Sequence, residues 1–342
     1  MSHRDFGSDE WIDRLEEEAD LAGRSNRPRT KRRPTHESAQ PARVIGVDRG
    51  RYRLVLNDSS NIALTANRAR ELRKESIVVG DIVDVVGDVS GDEGSLARIV
   101  RIQERRNVLR RSADDTDQVE RVIVANADLL LMVVAAANPE PRPRLIDRYV
   151  VAALDAGIDP VLCVTKTDLA EASELIDYAS GLDIPVFSLS TEGGDDLSKL
   201  RELLRDKITV AVGHSGVGKS TLVNRLVPSA HREVGHVNET TGRGRHTSSS
   251  SVSLALPEGG WIIDTPGVRS FGLGHVTPDA IDRGFPDLAE WLDECPRGCE
   301  HLVDEPDCGL NLRKASGGLS DRQLTRIDSL QRLRALSQTD SY

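Results

Sequence analysis

Eight consecutive residues, Gly213-His214-Ser215-Gly216-Val217-Gly218-Lys219-Ser220, fit the spacing G-x-x-x-x-G-K-[ST]. Each fixed position in that pattern has a task on a polyphosphate. Gly213, Gly216 and Gly218 let the backbone N–H groups of the loop, those of Ser215 and Val217 included, curl around phosphate oxygens. The helix that must follow, continuing through Thr221, turns its positive N-terminal end toward the same anion. Lys219 neutralises the β and γ oxygens, and Ser220 is placed to ligate Mg²⁺. The loop alone does not choose between ATP and GTP, so a base reader and a γ-phosphate sensor have to be sought elsewhere in the chain.

Both are found. Downstream, Trp261-Ile262-Ile263 leads into Asp264-Thr265-Pro266-Gly267. This is an apolar run ending in a carboxylate that can hold Mg²⁺ through water, then a glycine whose N–H can meet the γ-phosphate. Upstream, the run 161–164 ends in Thr165-Lys166-Thr167-Asp168. The Asp168 carboxylate can accept from both N1–H and the exocyclic amine of guanine, a donor pair that adenine lacks. Ser188-Leu189-Ser190-Thr191 closes another apolar run and offers backbone N–H groups, at Ser190 and Thr191, to the guanine O6. The base readers therefore precede the phosphate loop, whereas in an ordinary small GTPase they follow it. That order describes a circularly permuted guanine-nucleotide domain. An α/β sheet whose ends lie near one another can be opened at a different loop without moving its chemistry.

These residues need a sheet to hold them. Apolar runs at 129–136, 160–164, 185–189, 208–212 and 261–263 alternate with helical segments, the pattern of a parallel sheet buried on both faces. The phosphate loop falls between the run 208–212 and the helical run 221–226, where such a loop must lie. Ahead of it, residues 41–103 carry short β-rich pieces (43–47, 52–56, 82–86, 96–102) between Gly and Asp turns such as Gly87-Asp88 and Gly91-Asp92, which predicts a small closed β-barrel. Residues 278–342 show no strand pattern and end in 321–336, where Leu324, Ile327, Leu330 and Leu333 have helical spacing. The expected organisation is a tail at 1–40, a barrel at 41–110, the nucleotide domain at 111–277 and a small C-terminal unit at 278–342.

Four cysteines are too few and too clustered for a secreted disulfide framework. Cys163, inside an apolar run, reads as a buried small hydrophobe. The other three join a histidine in Cys295-x3-Cys299-x-His301-x6-Cys308, the donor set of a closed Cys₃His zinc site with no position left for catalysis.

Composition narrows the class further. The 342 residues carry a net charge of −10 and only 3% aromatics, which excludes a wholly basic nucleic-acid binder and a stacking-rich single-strand binder. No apolar run approaches the roughly 20 residues that span a bilayer. The first thirty residues hold no apolar stretch like that of a signal peptide, so a cytoplasmic location without membrane contact is expected; the protein is also expected to be a monomer. Residues 5–20 hold eight acids, and Arg24, Arg27, Arg29, Lys31, Arg32 and Arg33 follow; this tail reads as a solvated disordered extension or as an RNA-contacting arm. Arg101, Arg105, Arg106, Arg110 and Arg111, with Arg49, Arg51 and Arg53, form either a phosphate-contacting patch or a solvated basic face.

With a barrel in front, this motif order in the middle and a Cys/His cluster behind, the chain resembles the RsgA (YjeQ) family of ribosome small-subunit-dependent GTPases from about residue 41 onward. The residues carrying the resemblance are the permuted motifs, Gly242-Arg243-Gly244-Arg245-His246-Thr247, Asp264-Thr265-Pro266-Gly267-Val268-Arg269-Ser270-Phe271-Gly272-Leu273, and Cys295 through Cys308. The resemblance implies an OB-fold, a permuted P-loop GTPase domain of α/β class and a zinc-binding helical domain. It implies weak GTP·Mg²⁺ hydrolysis that the small ribosomal subunit stimulates, in late maturation of that subunit, with its rRNA and GTP or GDP as partners. Val268 stands where many GTPases place a water-orienting Gln, and the family implies His246 for that role. Thr247, or its neighbour Ser248, is implied as the switch residue that senses Mg²⁺ and the γ-phosphate. Two departures stand out: Thr165 replaces the usual Asn, and the cysteine gaps are one residue shorter at the first and one longer at the last. An RNA-binding checkpoint protein with a nucleotide switch but negligible turnover is the competing reading. A P-loop ATPase is another, which Asp168 opposes.

Overall fold

In the computed structural model, residues 38–48, 50–58, 61–73, 75–112, 120–190, 194, 196–229, 251–265 and 276–339 are described. Arg49, Thr191, His246, Thr247 and Gly267, and the tail before residue 38, lie outside them. Five strands form the first unit: β1 (Gln40–Asp48), β2 (Arg51–Leu56), β3 (Ala63–Arg68), β4 (Ile82–Gly87) and β5 (Ala97–Ile102). β1 pairs with both β2 and β4, and a parallel β3–β5 pairing closes the ring, giving an OB-type barrel. Alternate residues fill it: Ala42 and Val44, Leu54 and Leu56, Leu64 and Ala66, Val83 and Val85, Ala97 and Ile99.

A two-stranded ribbon follows, β6 (Val108–Ser112) with β7 (Glu120–Ala125). The nucleotide-domain sheet then runs β8 (Leu129–Ala135), α1 (Pro143–Asp155), β9 (Asp159–Thr165), α2 (Ser173–Ala179), β10 (Val186–Leu189), α3 (Ser198–Leu204), β11 (Ile208–Val212), α4 (Lys219–Leu226), β12 (Val252–Ala255) and β13 (Trp261–Asp264). In space the order is β10-β9-β8-β11-β13-β12; β12 alone runs antiparallel to its sheet neighbour β13. Leu130, Met132 and Val134 of β8 face one core, while Leu129, Leu131, Val133 and Ala135 face the other. Burial on both sides is why this strand reads as unbroken apolar sequence. β12 also pairs with β1, so sheet and barrel are one hydrogen-bonded surface; Val252 lies opposite Gly46 on one side and Asp264 on the other.

Residues 276–339 are helical, with no strand: α5 (Pro278–Arg283), a 3₁₀ turn (Pro286–Leu288), α6 (Ala289–Asp293), α7 (Gly309–Ser316) and α8 (Asp321–Thr339). Thr277 caps α5 by accepting from the Ala280 N–H, and Pro278 opens the helix. Ala280, Ile281, Phe285, Ile327, Leu330 and Leu333 share a core with Ile146, Tyr149 and Val150 of α1. The helical unit is therefore packed onto the nucleotide domain by apolar surface. Among the described residues no helix is long and apolar enough to cross a membrane.

Candidate functional site

The carboxyl ends of five parallel strands lie side by side: Leu189 beside Thr165, Thr165 beside Ala135, Met132 beside Val212, and Ala211 beside Asp264. In open α/β sheets that edge is where ligands bind, because loops and helix N-termini converge there. The phosphate loop, the Asp264 segment, Thr165 to Asp168 and Ser190 all leave the sheet at this edge. Motifs that stand in permuted order along the chain are thus neighbours in space.

The phosphate loop owes its shape to its glycines. A Cβ on Gly213 would come 2.5 Å from the Val133 carbonyl oxygen of β8, so only glycine lets the loop leave the strand there. Gly216 and Gly218 hold positive φ, at 83° and 87°, which is costly for other residues. α4 starts at once with Lys219, leaving Ser215, Gly216, Ser220 and Thr221 exposed at its mouth. The Lys219 ammonium pairs with Asp264 Oδ1 at 2.5 Å and also donates to the Thr265 carbonyl. Thr265 is itself anchored, its hydroxyl donating to the Ala211 carbonyl at 2.8 Å. The lysine and the carboxylate that the sequence assigns to phosphate and to Mg²⁺ are therefore in contact with each other. Ser220 and Asp264 could hold the cation; Thr247, the other expected Mg²⁺ residue, and Gly267 lie outside the described residues.

On the base side, Thr165 is buried and its hydroxyl donates to the Val217 carbonyl of the phosphate loop, with the Val134 carbonyl at 3.3 Å as a second acceptor. The Thr165 hydroxyl thus braces the phosphate loop. Lys166, at a φ of 59°, donates from its ammonium to the Asn138 carbonyl. Asp168 is exposed, as a reader of an incoming base must be. The Thr167 N–H donates to the Leu189 carbonyl at 3.3 Å, and Arg225 of α4 donates to the Ser190 carbonyl at 3.0 Å, so the two base-reading loops are tied to each other and to the phosphate helix. Thr191 lies outside the described residues. Asn138 and Arg225 were not foreseen: both act through backbone carbonyls, which no side-chain motif records.

The second site is the cluster Cys295, Cys299, His301 and Cys308, whose ligand atoms all lie within 4.8 Å of one another. Bonds of about 2.3 Å to sulfur and about 2.0 Å to nitrogen put tetrahedral ligands about 3.5–3.8 Å apart. His301 Nδ1 is 3.4 Å from Cys299 Sγ and 3.9 Å from Cys308 Sγ, so the residues fit zinc. Gly298, in the first gap, and the ligand His301 both hold positive φ, at 82° and 57°. His301 Nε2 turns instead toward Asp282, 3.9 Å away, and the Gly309 N–H donates to Cys295 Sγ at 3.1 Å, both the kind of outer contact that orients metal ligands. Burial pushes the Cys295 and Cys299 thiols up and the His301 imidazole down. A divalent cation is what turns such thiols into thiolates.

Elsewhere the structure sorts the remaining candidates. Cys163 is fully buried and burial pushes its thiol up to about 12, which suits a packing residue. Arg105 pairs with buried Asp81 at 2.7 Å within the barrel unit, and Arg106 pairs with Asp128, just before β8, at 2.7 Å, so Arg106 ties the barrel's end to the sheet. Arg101 pairs with Asp84 while its side chain stays 71% exposed.

A family model described as RsgA GTPase matches residues 102–274. The small ribosomal subunit biogenesis GTPase RsgA of Chlorobaculum parvum is 35% identical over 266 residues, covering 74% of this chain and 85% of that protein. The protein of the same name from Pseudomonas syringae pv. tomato is 38% identical over 260 residues, 74% of each chain. Among solved structures, YjeQ from Thermotoga maritima matches 88% of this chain and 99% of its own with a TM-score of 0.65 at 24% identity. YloQ, described as a circularly permuted GTPase, matches 91% and 99% with a TM-score of 0.63 at 25% identity.

Proposed function

Because the chain belongs to the RsgA GTPase family, we propose that it hydrolyses GTP in late maturation of the small ribosomal subunit, slowly alone and faster on that subunit. The observation that carries this reading is the convergence of the phosphate loop, Asp264, Thr165 to Asp168 and Ser190 on one sheet edge. Asp168 takes the N1–H and exocyclic amine of guanine, Ser190 and Thr191 face its O6, and Lys166 flanks the base. The N–H groups from Gly213 to Gly218 and at Ser220 and Thr221 cradle the phosphates. Lys219 exchanges its ion pair with Asp264 for β and γ oxygens, which frees the Asp264 carboxylate for the metal side. Ser220, Thr247 and, through water, Asp264 would hold Mg²⁺, which would supply charge neutralisation on the same oxygens. Gly267 offers its N–H to the γ-phosphate, and His246 orients the attacking water in place of the absent Gln. Catalysis is then positioning and electrostatic stabilisation.

In this reading residues 1–40 are a tail, 41–110 the RNA-facing barrel, 111–277 the GTPase domain and 278–342 the unit that one structural zinc holds through Cys295, Cys299, His301 and Cys308. The protein acts in the cytoplasm as a monomer on subunit rRNA. The deciding experiment is hydrolysis of GTP and of ATP with and without purified small subunits, at stated ionic strength because rRNA contacts weaken with salt. GTP-selective turnover that rises sharply with subunits is expected. Turnover indifferent to subunits removes the ribosome from the reading, and equal use of ATP removes the base assignment.

A further inference from the structure

Arg326 lies on α8 in the stripe that carries Leu330 and Leu333, and its side chain is wholly buried. A buried guanidinium is tolerated only when its donors are engaged. One terminal nitrogen, Nη1, donates to Asp147 on α1. The other, Nη2, donates to Asp287 at 2.8 Å and to the Gly284 carbonyl at 3.2 Å, and Nε donates to Asp287 at 3.0 Å. The Phe285 ring covers the guanidinium face, with its centroid 4.2 Å away. Asp147, equally buried, also accepts from the Tyr178 hydroxyl on α2 and the Ser329 hydroxyl on α8. One side chain of the C-terminal helix thus clasps α1, α2 and the 286–288 turn together.

The place where α1 and α2 begin gives this clasp its meaning. α1 starts at Pro143, directly after the loop whose Asn138 carbonyl holds the Lys166 ammonium and whose Pro139 and Arg142 line a small cleft with His214 and Val217 of the phosphate loop. α2 starts at Ser173, reached from Asp168 through residues 169–172. Both helices held by the clasp therefore lead out of the base-binding end of the nucleotide site, while Lys219 and Asp264 are held by β11, α4 and β13 and owe nothing to it.

We propose that Arg326 is a positioning residue for guanine nucleotide: by fixing α1 and α2 it holds the Lys166–Asn138 contact and the base-reading loop in place, and so links nucleotide affinity to the docking of the C-terminal unit. This rests on the reading of Thr165 to Asp168 as the guanine site. Linkage makes the effect reciprocal, so bound nucleotide must in turn tighten α8. Arg326→Lys keeps the charge and loses the planar fork. The expected result is a GDP dissociation constant and a GTP KM both raised about tenfold, within the range of such couplings, with kcat at saturating GTP changed less than about twofold and zinc content unchanged. Hydrogen exchange on the wild-type protein should show GDP slowing the amides around 323–333, and Arg326→Lys should abolish that slowing. Tyr178→Phe removes a single hydroxyl and serves where Arg326→Lys fails to fold; it should raise the GDP constant about two- to threefold. Unchanged nucleotide affinity in a folded variant, or α8 exchange indifferent to GDP, overturns the proposal. Asp168→Asn separates the two readings: if base choice survives that change, the guanine assignment fails whatever Arg326 does.

Discussion

Thr165 stands where the family's base-reading motif carries Asn, and the exchange separates two jobs that an amide does together. The hydroxyl has one hydrogen, and it goes to the Val217 carbonyl of the phosphate loop. In the proposed guanine site that hydrogen would not reach the base, and base choice would fall to Asp168. Thr165→Val leaves the Val217 carbonyl unpaired at about 1–3 kcal/mol. GDP affinity should fall about tenfold by equilibrium fluorescence, and Thr165→Asn should restore it to within about threefold of wild type; an unchanged affinity in Thr165→Val would sink the brace. His246→Ala should lower subunit-stimulated turnover about 100-fold, the scale of a lost proton-handling group, with GDP affinity preserved. Wild-type rates in that variant would remove the histidine from the reaction. At this scale the sequence is readable wherever chemistry dictates both residue type and spacing, as it does from Gly213 to Ser220 and from Cys295 to Cys308. It is silent on Asp147 and Arg326, 179 positions apart, because an ion pair buried between distant helices leaves only one local trace, an arginine in an apolar stripe.

At the scale of elements, the strands buried on both faces could be read from the chain and the thinner ones could not. β11 is bounded as its apolar run is, 208–212. β3 (ALTANR) is half polar and β12 (VSLA) is only four residues long, so their pairing comes from neighbours on either side rather than from their own pattern. The β6–β7 ribbon was missed for a similar reason, its first strand reading VLRRS. α7 shows how narrowly an element can be seated. Its first residue, Gly309, would place a Cβ 2.4 Å from the Trp291 carbonyl oxygen and 3.2 Å from Cys295 Sγ. Gly309→Ala must push α7 off α6 and break the N–H contact to the Cys295 sulfur. Zinc transfer to a chromogenic chelator should accelerate about tenfold, the usual cost of a lost outer contact, and an unchanged rate would show that the cluster does not depend on this seating.

At the scale of the molecule, the three units share more than their linkers. The helical C-terminal unit buries Ile281, Phe285, Ile327 and Leu330 in the core that α1 also fills. A zinc ion held by Cys295, Cys299, His301 and Cys308 would support the nucleotide domain as well as its own loops. Removing zinc should therefore lower the melting temperature of the whole cooperative transition by at least about 5 °C, given about 2–4 °C per kcal/mol for a body of this size. Calorimetry that showed a separate early transition, with the main one unmoved, would instead make the unit independent.

The pairing of β1 with β12 gives the molecule a load path. Gly46, Val252 and Asp264 stand in one row across three adjacent strands. Two strand spacings, about 10 Å, separate the barrel from the carboxylate that pairs with Lys219. A pull on the barrel directed across the strands is borne as tension by the β1–β12 and β12–β13 backbone pairings and is passed on to β13. Whatever grips the barrel thereby has its hand on the strand that ends at Asp264.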